Sequence, residues 1–357
     1  MSSNFGSKLK ISVFGQSHSK SIGVIIDNIP AGIKIDLEQI NKFMARRAPG
    51  CNEYSTTRKE ADTPIIQSGL LNGKTCGAPL CAIIENTDTH SQDYENIKNI
   101  PRPSHADFTA FVKYCGENDV RGGGHFSGRL TAPLCFAGAV CKQVLAISGI
   151  TVGAHISSLA GEIDKAFDPV NITASELEKI ASKDFAVVDD DIGPAMREKI
   201  SLAKNRGDSV GGIVECCAVG LPCGVGEPMF DGVENKISSA IFSIPAVKGI
   251  EFGNGFGACS IFGSQNNDEF YIKDDDIKTK TNNAGGVLGG ITTGMPLIFR
   301  VGFKPTPSIA MEQNSVDLKC KKETKLIIKG RHDPCIVTRA VPCVEAICAI
   351  ALLDLML

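Results

Sequence analysis

Four of the six histidines in this 357-residue sequence stand among glycines, hydroxyls and arginines, a setting in which an imidazole works as an acid or base on a charged ligand. His18 lies in Gly15-Gln-Ser-His-Ser-Lys20, His105 in Arg102-Pro-Ser-His-Ala-Asp107, and His332 in Gly330-Arg-His-Asp-Pro334. The fourth, His125, belongs to the run Arg121-Gly-Gly-Gly-His-Phe-Ser-Gly-Arg-Leu-Thr131. Three successive glycines let backbone amides close on a ligand with no Cβ in the way, and they accept positive φ without strain. Arg46, Arg47, Arg102, Arg129 and Arg331 adjoin glycine, proline or small residues, as planar forks do when they converge on oxyanions from loops and helix ends. Taken singly, each histidine reads as a structural residue and each arginine as a solvated charge. Their clustering with the glycine loop points to a multiply charged anion, phosphate foremost.

These groups need a scaffold. The small, apolar run from Leu130 to Ile147 predicts a buried helix whose free N-terminal amides face the guest of the glycine loop. Lys8 to Phe14 and Ile22 to Asp27 read as strands, with His18 on the loop between them. Asp36 and Gln39 predict a capping box for a helix through Phe43 and Met44 that ends near Pro49-Gly50 and carries Arg46 and Arg47 in its last turn. Asn72-Gly73 predicts a hairpin turn between Ile65 to Leu71 and Lys74 to Ile84. Thr173 to Glu176 is a second capping box. A strand from Val210 to Val219 leads to a helix after Asp231, and Ser243 to Gly249 breaks regularity. The cluster Gly285 to Gly294 resembles Gly123 to Thr131 in its spacing of glycine and threonine, a hint of two related halves. Pro342 to Leu357 predicts a buried or interface helix starting at its proline.

Composition narrows the class. With 43% hydrophobic residues, 22% charged and a net charge of −3, the chain is an ordinary globular protein with no general affinity for nucleic acid. No run approaches the roughly 20 apolar residues that span a bilayer, and the first ten residues carry no apolar signal core, so no membrane partner and a cytoplasmic location are expected. The fourteen cysteines include no Cys-x-x-Cys pair and mostly sit among apolar residues, which favours reduced, packed thiols and no metal site. No Pro/Ser-rich linker divides the chain, so one domain over 1–357 is expected. Gly69-Leu-Leu-Asn-Gly-Lys-Thr75 has too few residues between its glycines for a P-loop, and Gly253-Asn-Gly-Phe-Gly-Ala258 is not followed by a helix as a dinucleotide site requires.

At this point the residues match a family. Phe14-Gly-x-Ser-His18, Arg46-Arg-x-Pro-Gly50, Arg102-Pro-Ser-His-Ala-Asp107, Arg121-Gly-Gly-Gly, Ser243-Ile-Pro-Ala-Val-Lys-Gly249, Gly263-Ser-Gln-Asn266, Gly285-Gly-x-Leu-Gly-Gly290, Lys304-Pro-Thr-Pro-Ser308 and Gly330-Arg-His-Asp-Pro-Cys335 resemble chorismate synthase, in the family's order. The resemblance implies an α+β fold, a layered β-α-β sandwich with central helices between antiparallel sheets, assembled as a homotetramer. It implies a lyase that converts 5-enolpyruvylshikimate 3-phosphate to chorismate and phosphate by 1,4-anti elimination. It also implies reduced FMN as cofactor without net redox change.

Carried over by motif, the resemblance makes His18 the acid at the departing phosphate, His105 the partner of the reduced flavin, and Asp333 the relay that takes up the substrate's proton. FMN contacts fall on His125, Phe126, Ser127, Ser239, Ala240, Gly289, Lys304, Pro305, Thr306, Pro307, Ser308 and Arg331. Substrate phosphate and carboxylates fall to Arg46, Arg47, Arg102 and Arg129. The chain departs from the family's pattern at Gln16, where Glu is common, at Ser19, where Gly is common, and at Glu53, where Arg is common. His125-Phe-Ser127 stands where many members have Arg-Ser-Ser. These departures touch the flavin-phosphate and nicotinamide-nucleotide contacts and none of the three catalytic candidates. A flavin-dependent oxidoreductase acting on a phosphorylated metabolite, or a phosphometabolite-binding protein, would use the same anion site.

Overall fold

Alternating burial along two strands, buried on one face and half-exposed on the other, marks the first layer of the fold. The computed structural model describes residues 3–50, 61–87, 98–328 and 333–357. Strands β1 (Asn4–Phe5), β2 (Lys10–Gly15), β3 (Ser21–Asp27), β4 (Ile65–Ser68) and β5 (Leu80–Glu85) form an antiparallel sheet in the order β1-β2-β3-β5-β4. A second antiparallel sheet contains β6 (Thr151–Leu159), β7 (Glu162–Ile163), β8 (Gly212–Val219), β9 (Val247–Phe252) and β10 (Leu297–Phe303), in the order β9-β10-β8-β6-β7.

The helices are α1 (Leu37–Arg47), α2 (Asp107–Lys113), α3 (Thr131–Ala146), α4 (Ala174–Ala181), α5 (Gly193–Asn205), α6 (Val233–Ile241), the single turn α7 (Gly263–Asn266) and α8 (Val337–Met356). Helix α3 packs on β3 and β5 of the first sheet, α8 packs on β6 and β8 of the second, and α1, α3 and α8 pack on one another. The result is the α+β layering expected from the resemblance: sheet, helices, sheet. One continuous core runs from Leu9 to Leu353 through both sheets and the middle layer.

A helix between two sheets has no solvent face, which explains why α3 and α8 lack an amphipathic pattern and are apolar nearly all round. Small residues set their separation. A Cβ built on Gly138 would lie 2.2 Å from the Cβ of Ala346, so only glycine permits this backbone approach. Two carboxylates are nonetheless buried on α8, and each is fully engaged. Asp354 accepts from the backbone amides of Ser7, Lys8 and Leu9 at 2.7–3.1 Å. Glu345 receives Arg46 and Lys142, described below.

Local signals held where their chemistry is local. Asp36 caps α1 by accepting from the amides of Glu38 and Gln39, although the return bond of a full capping box is absent. Thr173 and Glu176 form theirs. Asn72 and Gly73 have φ of 51° and 73° and close the tight turn between Leu70–Leu71 and Lys74–Thr75. Two expectations need correction. Helix α8 starts at Val337 and not at Pro342, which sits inside it at the cost of one hydrogen bond to the preceding turn. The second glycine cluster folds as a small ribbon, Val287–Leu288 against Ile291–Thr292, with a turn at Gly289-Gly290, whereas the first is a run of tight turns before α3, so the two share no conformation. No helix among the described residues is long and apolar enough to cross a membrane.

Candidate active site

The glycine loop is the wall against which the site is assembled. Gly122, Gly123 and Gly124 all have positive φ, at 58°, 86° and 54°, a sequence of conformations that side-chain-bearing residues rarely adopt. A Cβ on Gly122 would lie 2.5 Å from both Ser17 Oγ and His18 Cε1, and one on Gly123 would lie 3.3 Å from the His105 ring. Consecutive glycines therefore touch the two histidines that the sequence singled out from distant segments. The Ser17 amide donates to Gly124 O at 3.1 Å and fixes the β2–β3 turn on the loop.

Beside this wall opens a cleft of about 210 Å³. Its polar side carries Ser17, Arg47, Ser127, Arg129, Asp333 and Arg339; its apolar side carries Ile244, Pro245, Phe303 and Ile336. Arg47 and Arg129 reach in from α1 and from the turn just before α3, and Asp62 bridges them behind the cleft, one carboxylate oxygen to each guanidinium. Burial opposes the Asp62 charge, but the two arginines more than offset it and hold its carboxyl below the ordinary value. Arg47 Nε also donates to Thr131 Oγ1 at 3.1 Å, and Arg129 Nε to Asn86 Oδ1 at 3.0 Å. Across the cleft, Arg339 donates to Asp333 Oδ2 at 2.6 Å and to the Arg47 carbonyl at 2.9 Å. Among the described residues three guanidiniums thus face two carboxylates, a positive balance for an anion.

His105 is held by its own motif. Asp107 Oδ1 lies 2.6 Å from His105 Nδ1, which assigns the ring proton to that nitrogen and turns Nε2 toward the glycine loop. Arg102 grips the same carboxylate with Nε and Nη2 at 2.7 and 2.8 Å and donates through Nη1 to Ser308 Oγ at 3.1 Å. Burial is the largest influence on His105 and lowers it; Asp107 pulls upward, Arg102 and Lys304 downward, and the net position is below the ordinary imidazole value. His105 is accordingly neutral at pH 7. Asp107 stays ionised because Arg102 and His105 outweigh the penalty of its burial.

Comparisons with known proteins identify the family. The family model described as "Chorismate synthase" matches residues 9–357. A chorismate synthase of Thermococcus kodakarensis is 46% identical over 98% of this chain and 96% of its own length, and one of Pyrococcus abyssi is 47% identical over the same shares. One of Dehalococcoides mccartyi is 46% identical over all of this chain and 97% of its own length. This chain belongs to the chorismate synthase family. A solved structure titled "Crystal Structure of Chorismate Synthase" superposes with a TM-score of 0.77 at 29% identity, covering 98% of this chain and 92% of that one.

Set against the chorismate synthase motifs, the candidate residues divide into groups. His18, His105, Asp333, Arg47, Arg129 and Ser127 converge on the cleft or its glycine wall. Arg102 does not reach the cleft as a free fork, because Asp107 and Ser308 take up its donors; it positions His105. Arg46 is elsewhere. Successive helical residues point about 100° apart, so while Arg47 faces the cleft Arg46 faces a second cavity and binds Glu345 through two bonds of 2.6 and 3.1 Å. His125 is also turned aside, with Nδ1 on the Gly15 carbonyl at 2.7 Å and Nε2 on Ser3 Oγ at 2.9 Å, so it ties the glycine loop to the β2–β3 turn. Phe126 is half-exposed beside Tyr114.

The Lys304 to Ser308 run continues from β10 past the cleft, and its Lys304 ammonium donates to the Ser104 carbonyl, one residue from His105. Ser239 and Gly289 are exposed and do not line the cleft, and Ala240 is buried in α6. Arg331, His332 and Glu53 lie outside the described residues. Three contributors escaped the sequence reading: Asp62, Arg339 and the structural role of Asp107. A local pattern existed only for Asp107, at the end of the His105 motif.

Proposed function

We propose that this protein converts 5-enolpyruvylshikimate 3-phosphate to chorismate and phosphate, with reduced FMN as cofactor. The observation that carries this reading is the seating of His18 and His105 on adjacent glycines beside a cleft walled by Arg47, Arg129 and Arg339. The substrate bears a phosphate and two carboxylates, which suits a cleft with surplus guanidinium charge and donors already fixed in direction.

The residues present fit a flavin phosphate and ring. Among the described residues, the buried Thr306 hydroxyl in the Lys304 to Ser308 run and the buried Ser17 hydroxyl have no hydrogen-bond partner, and each is an orphan donor that an anionic oxygen would satisfy. Ile244, Pro245, Phe303 and Ile336 offer the apolar wall that a planar ring requires. Reduced FMN, when bound, would supply transient electron density to the substrate and be recovered unchanged. In this reading His18 donates a proton to the departing phosphate oxygen. His105, neutral through burial and oriented by Asp107, presents Nε2 as a hydrogen-bond acceptor. Asp333, oriented by Arg339, is the acceptor of the proton lost from the substrate carbon. Arg47 and Arg129 hold the anionic groups. The reading includes a cytoplasmic homotetramer, for which the exposed Met229, Phe230, Phe256 and Phe262 supply apolar surface.

The test is an anaerobic assay with chemically reduced FMN and 5-enolpyruvylshikimate 3-phosphate that follows phosphate, chorismate and flavin redox state together. Catalytic chorismate and phosphate with the flavin left reduced support the lyase. Flavin oxidised in step with product would replace it with a flavin-dependent oxidoreductase, and tight binding without turnover would replace it with a binding protein.

A further inference from the structure

The floor of the cleft contains a pair of thiols that the proposed reaction does not use. Cys343, on α8, lines the cleft; Cys135, on α3, lies directly beneath it, and their sulfurs are 3.7 Å apart. The two positions stand one helical turn before Gly138 and Ala346, where the helix backbones approach most closely. Cysteines one turn from such an approach have the short separation that a disulfide needs, and the sulfurs must close by only about 1.7 Å to reach the ~2.05 Å bond.

The surroundings make Cys343 the reactive member. Cys135 donates its S–H to Cys343, the largest influence lowering the Cys343 thiol, and Arg47, Thr131 and Arg339 act in the same direction against burial. Cys135 is pushed up, by burial first. Cys343 is 4% exposed and lines the cleft beside guanidiniums, the setting that makes a thiol reactive, and the fully buried Cys135 next to it is its resolving partner. Cys216 and Cys348 form a second hydrogen-bonded pair on β8 and α8, but both are fully buried in the core and neither lines the cleft. They serve as an internal control.

We propose that Cys343 is an oxidation site that hydrogen peroxide reaches through the cleft, and that it is resolved by Cys135 to an intramolecular disulfide joining α3 to α8. In the first step the Cys343 thiolate attacks one peroxide oxygen. An S–O bond forms, the O–O bond breaks, and the other oxygen leaves with a proton as water. In the second, the Cys135 sulfur attacks the sulfenic sulfur, the S–S bond forms, the S–O bond breaks, and the hydroxyl leaves with the Cys135 proton as a second water. Two thiols lose two electrons and one peroxide gains them.

The experiment uses the full chain, reduced, freed of reductant, exposed to hydrogen peroxide and digested without reduction for mass spectrometry. The expected product is a peptide pair linked through Cys135 and Cys343, lighter by two hydrogens than its halves and released by dithiothreitol. The link closes a loop between positions 208 apart, so the oxidised protein should melt several degrees higher. In Cys135→Ala, or in Cys135→Val where the smaller residue prevents folding, the link disappears and dimedone tags Cys343 as the sulfenic acid. Inorganic phosphate should slow that tagging several-fold by occupying the cleft. The proposal is overturned if Cys135 and Cys343 remain thiols at peroxide doses that oxidise exposed Cys259 and Cys320. It is also overturned if Cys216 and Cys348 cross-link as readily, or if phosphate gives no protection.

Discussion

Arg46 and Arg47 are neighbours on one helix and do opposite work. Arg46 and Lys142 converge on Glu345, a carboxylate with no solvent exposure, and form a closed network behind α8. Arg47 shares Asp62 with Arg129, stands against Arg339, and faces an open cleft with charge to spare. The first cluster answers the cost of burying a carboxylate. The second holds cations that repel one another in place, a state that an anionic ligand relieves. A pair of adjacent arginines in a motif is therefore a pair of directions, and only the direction that ends in unmatched charge marks a site.

The sharpest way to break this contrast is on the cleft side. His18→Ala and His105→Ala should each lower turnover by roughly 10²- to 10⁴-fold, the range for a positioned acid or base, with folding intact by circular dichroism; near-normal rates in both would remove the catalytic assignment. Asp333→Asn should lose turnover while still binding FMN, read by flavin fluorescence, and a variant that merely unfolds would make Asp333 a turn former. Arg47→Ala should cost about 10²- to 10³-fold in kcat/KM, the loss seen when a fixed oxyanion donor goes. Arg46→Ala should leave kcat/KM of the folded enzyme within about threefold. Equal losses in the two arginine variants would erase the distinction.

Behind the helix the expected effects are on stability. Glu345→Ala leaves Arg46 and Lys142 without their shared partner and should destabilise by about 3–5 kcal/mol, read as a lower denaturation midpoint with kcat nearly unchanged. The smallest expected effect is a pH slope at a third buried cluster. His155 is fully buried between Asp164 at 2.9 Å and Glu215 at 3.0 Å. Burial lowers its affinity for a proton, but the two carboxylates prevail and hold the folded value above 6.5. Its contribution is therefore fully present below 6.5 and fades as pH rises through the folded value. Tm should decline in that window, and His155→Gln should flatten the decline; an unchanged slope would show that His155 does not titrate there.

Much of the site was legible because its chemistry is written in short segments. The glycine run, the two histidine motifs, the hairpin at Asn72-Gly73 and the cap at Thr173 each depend on residues within a few positions. What escaped depends on the tertiary fold. Asp62 carries no local pattern, and only folding sets it between arginines from α1 and from the turn before α3. Arg339 becomes a cleft residue because α8 begins five residues before Pro342, a start that a proline-at-N1 reading obscures. Arg102 looked like a ligand fork, and the carboxylate that occupies it lies five residues away in the same motif. That partnership is readable from sequence: an arginine with an aspartate in reach has its first partner already.

The clasp between Asp354 and the amides of Ser7, Lys8 and Leu9 has a consequence for biogenesis. The carboxylate that completes this turn is made 347 residues after Ser7. At the usual ~5–20 residues per second of synthesis, the amino-terminal turn waits on the order of 20 to 70 seconds for the α8 carboxylate that closes it. Until then α3, the helix already packed on the first sheet, presents to the cell the face that α8 will cover, and holding that face out of contact with other chains is a task for chaperones before there is any enzyme to fold.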